Sequence, residues 1–250
     1  MSSRDKRPFY VLYEDNHLLI VNKASGVLVQ GDHTKDKPLV ELCKDYVRNK
    51  YNKPGNVFMG LVHRLDRPVS GIVVLAKTSK ALERMSKLFH DRKVQKTYWA
   101  ITKYKPRHPK KFGDQGILIN WLKKDGAKNT VTAYEEETEG AQKAELSFRV
   151  LGKLNDHFLL EVKPKTGRPH QIRAQLGAIK TPIKGDLKYG FPSPNVDKSI
   201  NLHARKLYFI HPIKKEPIEI TAPVPETDFW EQYLGLEKTK VKSKDIDVKF

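Results

Sequence analysis

The sequence predicts an α+β fold, a single domain with a mixed, mainly antiparallel sheet flanked by helices. Three observations carry that prediction. Short apolar runs divided by turn residues recur near the start of the chain and again from Thr130 to Val162, as in hairpins and meanders. Helical apolar spacing is confined to isolated stretches between them. A chain of 250 residues with no internal repeat and no shift in composition suits one domain with a substantial core.

In order, residues 9–13 and 17–21 are apolar runs separated by Glu14-Asp15-Asn16, which reads as a strand pair. Lys23 opens the turn Ala24-Ser25-Gly26 and is either a phosphate contact or a solvated turn lysine. After Pro38, Leu39, Leu42, Cys43 and Val47 follow helical spacing. Cys43 is the only cysteine, so it reads as a small buried apolar group in a chain suited to a reducing cytoplasm. Pro54-Gly55 breaks the chain before the run 57–62, which leads into His63-Arg64-Leu65-Asp66-Arg67-Pro68-Val69-Ser70-Gly71. The apolar run 72–76 beyond it is a buried strand, so this charged cluster sits on a loop at a strand's mouth. Ser79 is a candidate N-cap for a helix with Leu82, Met85, Leu88 and Phe89 on one face. Arg92, Lys93 and Lys96 fall at its C-terminal end, where the helix dipole favours cations.

Lys96-Thr97-Tyr98-Trp99-Ala100-Ile101 reads as a strand with Tyr98 and Ala100 on one face and Trp99 and Ile101 on the other. Residues 106–125 read as an irregular basic insertion, either following a nucleic-acid backbone or merely solvated. Strands 130–134, 144–151 and 157–162 form the meander. In Thr166-Gly167-Arg168-Pro169-His170-Gln171-Ile172-Arg173, Gly167 ends a strand and Pro169 suits the first turn of a helix. Residues 185–190 and 202–212 read as scaffold. The lysine-rich segment 237–250 reads as a flexible tail, so the domain covers 1–236.

Charge narrows the function. Lys and Arg number 47 against 29 Asp and Glu, a formal charge of +18. Such an excess points to a polyanion, because neutralising phosphates releases condensed counterions. Nucleic acid is favoured over a membrane, since no apolar run approaches spanning length and no basic amphipathic helix stands out. The first residues lack the apolar core of a signal peptide. The nine histidines show no metal-ligand spacing, and neither a P-loop nor a G-x-G-x-x-G run occurs, so no metal or cofactor is expected.

Asp66 alone could do no more than order its loop by pairing with Arg64 and Arg67. Three motifs in order change that reading. His63-Arg64-Leu65-Asp66 with Ser70-Gly71, then Lys96-Thr97-Tyr98, then the run from Gly167 to Arg173 resemble the signatures of the RluA class of pseudouridine synthases. Two departures from the family pattern are Val69, where a Thr is usual, and Ala24, where a Pro is usual. The resemblance implies an isomerase that converts uridine to pseudouridine in ribosomal or transfer RNA, cytoplasmic and monomeric, without cofactor or metal. It implies that Asp66 is the catalytic carboxylate, that Tyr98 stacks on the target base, and that Arg173 pairs with Asp66. Arg64 would fill the space left by the extruded base, and Arg67 and Arg168 would also contact RNA. The rival readings are an RNA-binding protein that kept the fold without catalysis, and a hydrolase using Ser70, which lacks a G-x-S-x-G context.

Overall fold

The computed structural model describes residues 7–106 and 114–238. The chain begins with β1 (Phe9–Glu14) and β2 (Leu18–Lys23), followed by helix α1 (Leu39–Lys50). The short β3 (Gly60–Leu61) precedes β4 (Ser70–Ala76), α2 (Ser79–His90) and β5 (Gln95–Thr102). Strands β6 (Gln115–Asp125), β7 (Thr130–Tyr134), β8 (Gln142–Leu154) and β9 (His157–Pro164) form the meander. Helix α3 (Gln171–Ala178), a 3-10 turn (Leu187–Tyr189), β10 (Leu202–Ile210), β11 (Pro217–Thr221), α4 (Asp228–Glu231) and a second 3-10 turn (Leu234–Lys238) complete it.

All eleven strands join one sheet, ordered β1-β2-β4-β10-β5-β9-β8-β6-β7, with β3 on β4 and β11 on β10. Among the described residues only the β4–β10 pairing is parallel, at Ser70–His203 and Gly71–Ala204. The sheet is therefore mixed and mainly antiparallel, as the meander pattern requires. β4 is buried at every position, the mark of a central strand covered on both faces. β5 separates two cores. Tyr98 and Ala100 belong to the main one, and Trp99 and Ile101 to a second formed with Val224, Trp230 and Tyr233. Cys43 is fully buried in the main core, and burial pushes its thiol up to about 12.

Several expectations need correction. The irregular insertion expected over 106–125 is in its second half an 11-residue strand, β6. Leu118, Asn120 and Leu122 alternate inward there, a period-2 pattern that the flanking lysines obscure. Residues 107–113, including His108, Lys110 and Lys111, lie outside the described residues. The N-cap of α2 is Thr78, not Ser79, its side chain accepting from Ala81 N. Pro169 sits in a turn before α3, because His170 adopts a left-handed conformation (φ 50°) that delays the helix to Gln171. The sequence pattern puts Glu237 in a flexible tail, but it lies in the second 3-10 turn and pairs with Arg205 and Lys206. Residues 239–250 of that tail lie outside the described residues.

The Asp66 loop is tied by backbone bonds to two other segments. Arg67 O accepts from Gly26 N at 2.8 Å, and Pro68 O accepts from Ile200 N at 3.1 Å. The loop enters β4 through Gly71 at φ +115°, where a Cβ would lie 2.4 Å from Ala204 O. Only glycine allows β10 to pair in parallel at that point.

Candidate active site

A cleft of about 1180 Å³ opens where the Asp66 loop, β5 and the start of α3 meet. Asp66, Tyr98, Arg173, Arg64, Arg67 and Arg168 all line it, so the six residues that the family resemblance assigns to the site converge on one place. Lys96, Arg92, Lys124 and Lys188 add positive charge to its walls.

Asp66 is 28% exposed and carries its partner on one side only. Arg173 Nη1 donates to Asp66 Oδ2 at 2.8 Å, and His170 Nε2 lies 3.8 Å from the same oxygen. Arg173 is itself held by Asp186, Nε to Oδ2 at 2.7 Å and Nη2 to Oδ1 at 2.9 Å, a bidentate pair almost wholly removed from solvent. Burial works against the Arg173 charge, but Asp186 and then Asp66 outweigh it and hold its pKa above the ordinary value. Asp186 and Tyr189 belong to a segment read from the sequence as scaffold, and the structure puts both at the site. The signal that could have found Asp186 is chemical. An arginine fixed on a buried helix face needs an acid, and Asp186 is the acid nearest in sequence beyond α3.

Tyr98 stands on β5 with its ring against the main core. Burial, reinforced by the negative charge of Asp66, pushes its phenol pKa above the usual range, so the hydroxyl stays protonated at neutral pH. Lys96, on the same face of β5, has its pKa lowered by burial and by Arg92. His63 is structural: Nε2 accepts from Val74 N at 3.1 Å and its ring stacks on Phe89 at 4.7 Å. Burial and then the charge of Lys96 push its pKa down to about 3, so it is neutral.

Lys23 is neither a phosphate contact nor a solvated turn residue. It is fully buried, and Nζ donates to Ala24 O and Val27 O at 2.9 Å and to Arg67 O at 3.3 Å. Burial pushes its pKa down to about 7 against an upward pull from Asp66, with Arg67 adding to the downward shift. Of the three expected RNA contacts, Arg67 is tied to Gly26 O and to Asp36, and Arg168 Nε to Lys143 O. Among the described residues Arg64 has a single long bond, of 3.4 Å, to Gln30. Ser70 is 4% exposed and bonded to the buried His203 at 2.9 Å, sealed away from the cleft.

The model of the RNA pseudouridylate synthase family matches residues 17–178, which include the Asp66 loop, Tyr98 and Arg173. The chain belongs to that family. Its members isomerise uridine to pseudouridine in RNA. Among relatives, ribosomal large subunit pseudouridine synthase C of Vibrio vulnificus is 32% identical over 86% of this chain and 66% of its own length. The tRNA pseudouridine synthase C of Vibrio parahaemolyticus is 30% identical over 89% of this chain and 92% of its own. The chain thus spans about two thirds of the first relative and nearly all of the second. Human RNA pseudouridylate synthase domain containing 4 shares the fold, with a TM-score of 0.72 over 90% of this chain and 92% of that one, at 24% identity. Among the described residues no helix is long and apolar enough to cross a membrane.

Proposed function

We propose that this chain is an RNA pseudouridine synthase acting on ribosomal or transfer RNA, with Asp66 as the reacting group. The observation that carries the reading is the partly exposed Asp66 carboxylate sharing a basic cleft with Tyr98, oriented by Arg173 through one oxygen. The reaction breaks the N1–C1′ bond of uridine and joins C1′ to C5, with a proton lost from C5 and one gained at N1. No oxidation state changes and no group leaves, so the balance calls for no cofactor, metal or co-substrate. An ionised carboxylate is suited to attack or deprotonate the ribose and then release it. Tyr98 offers a stacking face to the detached uracil and a protonated hydroxyl. The target nucleotide must leave its stack, and Arg64, the least anchored of the three loop and turn arginines, is available to occupy the gap. Arg67 and Arg168, fixed by protein acceptors, present their remaining donors to phosphate. The reading includes a cytoplasmic monomer whose catalytic unit runs through the second 3-10 turn to Lys238; relatives named for rRNA and for tRNA both support the substrate class.

Asp66→Asn tests it. The variant keeps an acceptor for Arg173, so it is expected to fold and to bind RNA at least as tightly as the wild type. Pseudouridine formation on ribosomal and transfer RNA transcripts should be abolished. A folded, RNA-bound Asp66→Asn variant that still makes pseudouridine at the wild-type rate refutes the assignment.

A further inference from the structure

Tyr189 touches both groups that face Asp66. Its ring lies 5.0 Å from the Arg173 guanidinium carbon, and its hydroxyl lies 2.7 Å from His170 Nδ1. The same hydroxyl oxygen accepts from Val131 N at 3.0 Å. A backbone N–H can only donate, which leaves the phenol proton free to bond His170 Nδ1 when that nitrogen is unprotonated. The imidazole then accepts at Nδ1 and carries its proton on Nε2, the nitrogen that faces Asp66 Oδ2 at 3.8 Å.

The surroundings are shaped for this contact. Helix α3 carries Gly177 where a Cβ would lie 2.9 Å from Tyr189 O and 3.2 Å from Tyr189 Cβ, so the 3-10 turn packs at a distance only glycine permits. His170 occupies the N-cap position of α3 but makes no side-chain capping bond, its ring being turned to Tyr189 instead. Its left-handed backbone (φ 50°) is uncommon for a non-glycine residue and is the kind of local strain that functional sites retain.

Building on Asp66 as the reacting carboxylate, we propose that Tyr189 is a positioning residue for it: the ring braces Arg173, and the hydroxyl fixes the His170 tautomer that presents N–H to Oδ2. Arg173 and His170 thus converge on one carboxylate oxygen and leave Oδ1 turned to the substrate.

Tyr189→Phe keeps the ring and removes the hydroxyl. Turnover on ribosomal and transfer RNA transcripts should fall about 10- to 100-fold, the scale of a small misplacement of a reacting group, with KM unchanged. In a His170→Gln background the same change should be silent, because the hydroxyl acts through the imidazole. Nitrogen-15 spectra of the full chain should show His170 protonated on Nε2 in the wild type and a mixture of tautomers in the Tyr189→Phe variant. Wild-type turnover in Tyr189→Phe, an additive loss in the His170→Gln background, or an unchanged tautomer would each overturn the proposal. If the wild type itself modifies no transcript, it is the activity assignment that fails, and the spectra still decide the role of the hydroxyl.

Discussion

Lys23→Met probes the buried lysine behind the Asp66 loop. In the unfolded chain the lysine titrates near its ordinary value of 10.5, whereas in the folded protein burial brings it down to about 7. Between those limits the unfolded state binds more protons, so stability rises with pH. The contribution is complete above about pH 10.5 and is lost as the pH falls to about 7. At ~1.4 kcal/mol per pH unit the whole span is worth about 5 kcal/mol, of which about 3 kcal/mol falls between pH 7 and pH 9. Urea unfolding of wild type and Lys23→Met from about pH 5 to pH 9 follows the effect, because titrating groups that do not interact with Lys23 cancel in the difference. The difference should be flat below about pH 6 and climb by ~1.4 kcal/mol per unit above pH 7, in favour of the wild type. Parallel stability curves for the two chains would refute a buried lysine that sheds its proton on folding.

Two further substitutions test the base platform and the loop. Tyr98→Phe keeps the stacking face and should bind RNA nearly as the wild type does, while Tyr98→Ala should lose roughly 1–3 kcal/mol of affinity in a filter-binding titration. Equal binding by both would return Tyr98 to the core alone. Gly71→Ala forces a Cβ to 2.4 Å from Ala204 O at φ +115°, so it should destabilise by about 4 kcal/mol or more and lower the melting temperature by roughly 10 °C. A Gly71→Ala variant that melts with the wild type would mean that the β4–β10 pairing is not as close as described.

The fold was legible where local pattern and tertiary environment agree. β7 matches the expected strand residue for residue, and the two faces of β5 part into the two cores as alternation demands. β6 escaped because its inward positions include Asn120, a polar residue made tolerable by the bond from Gln175 Nε2 at 2.9 Å and its own donation to Tyr134 O at 3.4 Å. The start of α3 is not legible because a left-handed His170, its ring bonded to Tyr189 beyond the helix, cannot be read from composition. Lys23 misled for the same kind of reason. A lysine beside a turn is solvated by default, and only the three carbonyls gathered from Ala24, Val27 and Arg67 make its burial possible. The motifs brought out Asp66, Tyr98 and Arg173, the residues that face the cleft, but not Asp186 or Tyr189, which contact Arg173 from behind.

Asp186 also bears on what the cleft can do. Its arrangement with Asp66 brings two carboxylates to one arginine, a composition that on paper suits glycoside hydrolysis, where a second carboxyl group protonates a leaving group or activates water. The geometry removes that option. Asp186 is 1% exposed, and both of its oxygens are taken by Arg173, so it can reach neither water nor a leaving group. Asp32, which also lines the cleft, accepts through Oδ1 from Thr34 N and Oγ1, so the carboxylate backed by a guanidinium is Asp66, and the buried partner keeps that guanidinium from moving. A single group that engages the ribose and later releases it suits an isomerisation, in which the detached base is retained and rejoined. It does not suit a hydrolysis, for which the second carboxylate would have to be free.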